Sequence, residues 1–147
     1  MSLAGAFDRA GIRQSAAIRA HASREAQLRD LDIPTRLMPF SKPIDFTTAR
    51  GIHRMGVDHR ARFIIAWMNR AASLTPLSHD KYTRWRRIGR LGGYYKLKNY
   101  RDFDALVGNT QDIVDWIVRE GWPKERAHYI PNFARRDPGR IIVREAL

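Results

Sequence analysis

Residues 81–101 hold eight cationic side chains, Lys81, Arg84, Arg86, Arg87, Arg90, Lys96, Lys98 and Arg101, with no carboxylate among them. Tyr82, Trp85, Tyr94, Tyr95 and Tyr100 are interleaved with them. Cations that neutralise phosphates and rings that stack on bases together hold single-stranded nucleic acid. A solvated basic face with Trp85 and some tyrosines turned inward fits the same residues, and no RNP, KH or zinc-finger signature accompanies them. Gly92 and Gly93 follow a strand-like run inside this segment, where backbone amides can come close to a phosphate or a sugar. A tight turn is the other use for such a pair, and neither the dinucleotide fingerprint nor the Walker A pattern surrounds it. Asn69 and Arg70 follow the apolar run 63–68, and Asn109 and Thr110 follow the apolar run 105–107. If those runs are parallel strands, all four residues stand at the carboxyl edge of a sheet, where open α/β folds bind ligands. Asn109 is also placed to cap the helix that follows it.

Other chemistries are excluded or unsupported. Cysteine is absent, which removes disulfides, thiolate metal sites and a cysteine nucleophile. The histidines at 21, 53, 59, 79 and 128 are dispersed, with no pair at metal-binding spacing, so no metal is expected. His59 or His79 could act as a base, but nothing places a nucleophile and an orienting carboxylate together with either in space, and Asp102 with Asp104 does not define a glycosidase pair. The chain of 147 residues carries a formal charge of +12, which favours anionic partners. Its longest apolar run, six residues, falls far short of the ~20 that span a bilayer as a helix. The first residues lack the basic and apolar regions of a signal peptide, so a cytoplasmic location is expected.

The elements that would position these residues alternate between two periods. Leu3, Phe7 and Ala10 recur at helical spacing up to Gly11, residues 15–18 read as a strand, 22–31 as a helix and 35–38 as a strand. Asp45 is placed to cap a helix that runs to Asp58, although Gly51 and Gly56 weaken it. Residues 62–67 read as a strand buried on both faces, 68–73 as a helical turn, 84–91 and 105–107 as strands. Asn109 opens the clearest helix, with Asp112 completing a box-like cap, a stripe of Ile113, Val114, Ile117 and Val118, and a stop at Gly121. Residues 128–130 form a last strand. Strands alternating with helices give an α/β fold with a mostly parallel sheet.

Several stretches carry a resemblance: FIIAWMNRAA from Phe63, RLGGYYKLK from Arg90, VGNTQDI from Val107, GWP from Gly121 and YIPNF from Tyr129. Their order and spacing resemble the N-terminal half of bacterial glycosyltransferases of family 4, also called group 1, over nearly the whole chain. The resemblance implies a GT-B enzyme, in which two Rossmann-like domains face each other across a cleft. The N-terminal domain receives the acceptor and the C-terminal one holds a nucleotide sugar, with no metal and no cofactor beyond that co-substrate. It implies that Asn69, Arg70, Arg90, Gly92, Gly93, Tyr94, Lys96, Asn109 and Thr110 line the cleft and bind substrate. Arg70, Arg90 and Lys96 would stabilise a diphosphate leaving group or meet a phosphorylated or lipid-linked acceptor. Catalytic residues stay unassigned.

Two departures from the family qualify these expectations. The family opens with a strand and a Gly-rich turn ahead of the helix that starts here near Leu3, and that strand lies in the middle of the sheet. Its absence implies exposed strand edges, rearrangement or self-association. The donor-binding domain with its paired glutamates is also missing, so residues 1–133 are expected to be a partial acceptor domain and 134–147 a tail or the start of the interdomain connection. On this reading the chain is truncated at both ends and inactive alone. The complete enzyme would build a glycan, lipopolysaccharide or exopolysaccharide at the inner face of an anionic membrane. The competing reading is a small basic nucleic-acid-binding module that uses residues 81–101, in which base stacking would quench the tryptophans.

Overall fold

A computed structural model describes residues 3–41, 45–77 and 85–132 of the chain. Its elements in chain order are α1 (Leu3–Arg9), β1 (Ala16–Ile18), α2 (Ala22–Arg29), β2 (Thr35–Leu37), α3 (Phe46–Asp58), β3 (Phe63–Trp67), α4 (Met68–Leu74), β4 (Arg86–Leu91), β5 (Ala105–Gly108), α5 (Gln111–Arg119) and β6 (Ala127–Tyr129). Short 3-10 turns at Leu97–Tyr100 and Lys124–Arg126 lead into β5 and β6. Every strand pair is parallel, and helices make the crossovers, so the expected α/β architecture with a Rossmann-like parallel sheet is present. Residues 78–84, which include Lys81, Tyr82, Arg84 and His79, and the expected tail at 134–147 lie outside the described residues.

The strands form two sheets, one of order β1-β2 and one of order β3-β4-β5-β6. Ala16 N–H bonds Pro34 and Met38 N–H bonds the Ile18 carbonyl, so the backbone of Ala17 between them points away from β2. Arg62 accepts from Arg86 N–H, which by the same alternation turns the backbone of Phe63, Ile65 and Trp67 away from β4. Among the described residues neither of these two edges has a strand partner. They border one cleft of about 150 Å³, lined by Ser15 and Ala17 on one side and residues 63–66 on the other, with Met55 of α3 and Ala71 of α4. The sheet is therefore interrupted between β1 and β3.

The position of β3 at an edge corrects the expectation that residues 62–67 are buried on both faces. Only Ala66 is buried, at 2%, whereas Phe63 is 53% exposed. Side-chain alternation explains the pattern. Ala66, Gly89, Leu91 and Leu106 point to the face that α4 and α5 cover, where they meet Tyr100, Phe103, Ile113 and Ile117 in the main core. Phe63, Ile65, Trp67, Arg86 and Ile88 point to the other face and keep part or much of their surface in solvent. Parallel sheets are ordinarily covered on both faces; among the described residues helices cover one face of this sheet, and the other buries Arg90 and Val107 while leaving β3 open.

Local chemistry sets the helices. Asp45 caps α3 as expected: Oδ1 accepts from Thr48 N–H at 2.8 Å, and Oδ2 accepts from Thr48 Oγ1 at 2.6 Å and Ser41 N–H at 2.8 Å. Packing explains one of the two glycines that weaken α3 by propensity, Gly56, which lies under a rigid ring, whereas Gly51 meets only the movable end of Met38. A Cβ at Gly56 would stand 2.8 Å from the Trp85 ring, and one at Gly51 2.9 Å from the Met38 methyl. The cap of α5 is Thr110, whose hydroxyl accepts from Ile113 N–H at 3.2 Å, and not Asn109. Asp112 consequently sits one position too early for a reciprocal box. Asn109 is still needed for the β5 connection, because its N–H closes on the Leu91 carbonyl.

Two outcomes follow from this packing. Gly89 lies under Tyr100 and Leu106, 2.6 and 2.7 Å from where a Cβ would be, so Gly89→Ala should cost roughly 1–3 kcal/mol in urea unfolding while Gly93→Ala, with only Tyr95 at 3.7 Å, costs little. The hydrogen bonds from Thr48, then those from Ser41, hold the Asp45 carboxyl at about 2 against an ordinary 3.8. A depressed carboxylate pKa contributes stability that is complete above the ordinary value and is lost as pH falls through the folded one. Acid titration followed by circular dichroism should show a loss of stability between about pH 4 and pH 2 that is smaller in Asp45→Asn.

Candidate functional site

The ends of β3, β4, β5 and β6 gather on the carboxyl edge, and Arg90 organises them. The residue is 6% exposed, and Nη2 donates to the Asn132 side-chain oxygen at 2.9 Å and to the Ile130 carbonyl at 3.3 Å. Its Cζ also stands 5.2 Å from the ring centroid of Trp67 at the end of β3. One side chain thus ties the exit of β6 back across β4 to β3. Burial lowers the Arg90 pKa, and no carboxylate among the described residues opposes that effect. The guanidinium stays charged, so an uncompensated cation lies under the edge.

Arg87, its neighbour on the opposite face, has a different setting. It donates to the Asp102 carbonyl, stacks over Phe103 at 5.0 Å, and lies near the carboxylates of Asp102 and Asp104, which oppose the lowering of its pKa by burial. Asp104 also takes the Arg87 N–H through Oδ2 at 2.7 Å. These two aspartates anchor β4 and its cation. The contrast between the two arginines separates a structural cation from one with charge to spare.

Asn69, in the first turn of α4, accepts from Asn99 Nδ2 at 2.6 Å and so binds the 3-10 turn to the end of β3. Arg70 is exposed and reaches the Phe40 carbonyl through Nη1 at 3.3 Å. Lys96 is exposed at the start of the same 3-10 turn. Gly92 stands beside Asn109, with 3.6 Å from its Cβ position to Nδ2, and neither Gly92 nor Gly93 has a positive φ. The pair is therefore small for clearance and not for backbone conformation. Asn109 Oδ1 is buried with no hydrogen-bond partner, a cost that an incoming donor would remove.

Two of the expected binding residues have structural tasks here. Tyr94 lays its ring edge-on against Trp116 at 5.4 Å and gives its hydroxyl to Asp112, a bond that raises its pKa. Thr110 is the helix cap already described. The structure thus brings Asn69, Arg90, Gly92 and Asn109 to one edge, with Lys96 beside it on the turn that Asn99 fastens, while Tyr94 and Thr110 hold the loop and helix behind them. Trp67, Asn99 and Asn132 were not expected in the site. Trp67 is read as the end of a buried run from sequence, and only the edge position of β3 exposes it.

The aromatics of residues 81–101 do not make a stacking ladder among the described residues. Trp85 and Tyr100 are buried, Tyr95 packs against the main core, and Tyr94 is engaged by α5. No group of three or more metal-binding side chains occurs among the described residues. No helix among them is long and apolar enough to cross a membrane. What the edge offers is positive charge, two facing amides and open backbone.

Comparison with known proteins fits that chemistry. The chain is 28% identical over 153 residues to the lipopolysaccharide core biosynthesis glycosyltransferase LpsE of Rhizobium meliloti (strain 1021). The likeness covers 96% of this chain and 40% of that protein, so the chain spans about two fifths of the length of this curated relative. No family model matches the chain, and no solved structure matches it. The distant likeness, spread over nearly every element described above, supports a glycosyltransferase-like relationship and leaves the nucleic-acid reading without support.

If the Asn69–Asn99 contact fixes the edge, the single changes Asn69→Ala and Asn99→Ala should not add. A double-mutant cycle in urea unfolding is expected to return a coupling of roughly 0.5–1.5 kcal/mol.

Proposed function

We propose that the chain is the acceptor-side part of a GT-B glycosyltransferase of family 4 that moves a sugar from a nucleotide-sugar donor to an acceptor in lipopolysaccharide core or related glycan synthesis. The reading is carried by the cationic carboxyl edge, where Arg90 is buried with no carboxylate partner among the described residues and Arg70 and Lys96 stand exposed on neighbouring elements. The distant likeness to a lipopolysaccharide core glycosyltransferase supports the same substrate class.

In such a transfer the bond from the sugar's anomeric carbon to the diphosphate breaks and a bond to the acceptor oxygen forms. The hydroxyl proton leaves to a base, and negative charge collects on the departing diphosphate. Cations aimed at that charge stabilise the transition state more than the ground state. Arg90 supplies a fixed field from beneath the edge, where the low dielectric strengthens it, and the exposed Lys96 and Arg70, the latter with one nitrogen on the Phe40 carbonyl, touch phosphate directly. Gly92 and Gly93 leave room for a ligand to approach the backbone, and Asn69 and Asn109 present amides for hydroxyls. The same charge would draw the chain to anionic lipid carrying an acceptor.

Calorimetric titration of the chain with phosphorylated and dephosphorylated lipopolysaccharide core oligosaccharide tests this reading. The phosphorylated form should bind more tightly, and the double variant Arg70→Met/Lys96→Met should lose about tenfold in affinity for it, or about 1.4 kcal/mol. A chain that binds neither form refutes the proposal, and tight binding of a thymidine oligonucleotide with tryptophan quenching would replace it.

A further inference from the structure

Trp67 belongs to neither hydrophobic cluster formed by the described residues, although it ends a strand whose neighbour Ala66 is fully within the core. It is 51% exposed, the highest of the four tryptophans: Trp85 is buried, and Trp116 and Trp122 are half-buried. An indole left in water forgoes a large apolar gain, and its retention at a sheet edge asks for a reason. The next residue sharpens the point. Met68 has φ +66, a left-handed conformation unfavourable for a methionine, and is itself 54% exposed. That strain lets β3 pass into α4 with no intervening loop, which leaves Trp67 at the rim. Strained backbone beside an exposed ring is a pattern of functional sites.

The ring is also held. Arg90 stands over the indole at 5.2 Å, and Arg90 is itself fixed by Asn132 at 2.9 Å. A side chain so braced loses little freedom when a ligand covers it. A flat, half-exposed apolar surface with a guanidinium at one side matches a pyranose ring, which has one face of C–H bonds and a perimeter of hydroxyls.

We propose that Trp67 is the stacking platform for a pyranose ring of the acceptor, with the C–H face of the sugar against the indole. This assignment rests on the glycosyltransferase reading and adds to it the residue that recognises the sugar ring, as distinct from the cations that recognise phosphate. It makes Trp67 a binding and specificity residue and gives it no part in bond breaking.

The test uses the full chain and two probes, dephosphorylated lipopolysaccharide core oligosaccharide and inorganic pyrophosphate. Acrylamide quenching of tryptophan fluorescence reports Trp67 first, because it is the most exposed. The oligosaccharide is expected to reduce the quenching constant at least twofold, and pyrophosphate to leave it unchanged. In calorimetry, Trp67→Ala should weaken oligosaccharide binding about tenfold or more, with Trp67→Phe within about threefold of the parent and pyrophosphate affinity equal in all three. Far-ultraviolet circular dichroism checks that the variants keep the fold, which the surface position of the ring favours. Oligosaccharide affinity unchanged in Trp67→Ala overturns the platform and leaves the glycosyltransferase reading intact. A parent chain that binds pyrophosphate but no oligosaccharide, or whose quenching the sugar does not alter, overturns it as well. Only failure with the phosphorylated oligosaccharide too would remove the glycosyltransferase reading itself.

Discussion

The carboxyl edge depends on one buried guanidinium. Arg90 leaves β4 on the open face, receives the indole of Trp67 from β3, and donates to Ile130 and Asn132 beyond β6. Without it the ends of three strands would have no common fastening, because the hydrogen bonds of a parallel ladder fix register and not the direction in which the chain leaves. The clasp uses neutral acceptors, so the positive charge is neither cancelled nor released to solvent. A carboxylate in place of the Asn132 amide would hold the loop as well and would neutralise the field that an anionic ligand needs.

Arg87 shows the alternative within the same strand. It faces the covered side, between Phe103 and the two aspartates, and its charge is spent inside the protein. Two adjacent cations of identical type thus do opposite things because side chains on a strand alternate between faces. The covered face carries the apolar core and the compensated cation, and the open face carries the uncompensated one, the exposed indole and the interrupted edge of β3.

Much of this arrangement is legible in the sequence. Helix periodicity, the Asp45 cap and the order of strands emerge from local patterns, since each depends on residues a few positions apart. The candidate edge is legible too, because Asn69, Gly92 and Asn109 each follow an apolar run and parallel strands bring such positions together. Local patterns fail where the answer depends on distant neighbours. The run 63–67 is apolar enough for a central strand, yet its exposure is decided by which strand, if any, lies beyond it. Tyr94 looks like a ligand-facing ring until α5 supplies Trp116 and Asp112 to hold it. Gly56 looks like a weak point in α3 until Trp85 packs across it. The shift of the α5 cap from Asn109 to Thr110 is a matter of one residue, and either side chain could have served.

The interruption between β1 and β3 also divides the molecule by stability. The half made of β1, α2 and β2 contains no buried residue within those elements, whereas β4 and β5 are buried along most of their length. With no ladder joining the two sheets, opening the first does not require breaking a backbone bond of the second. The two sheets are joined by side chains alone, where Ala17 of β1 and Ile64 of β3 pack on the Met38, Ile52 and Met55 cluster, so local opening of the first sheet breaks fewer buried contacts than opening of the second. Proteases that attack opened segments would meet the first sheet before the second, and the fragment that survives would be the one that carries Trp67 and Arg90.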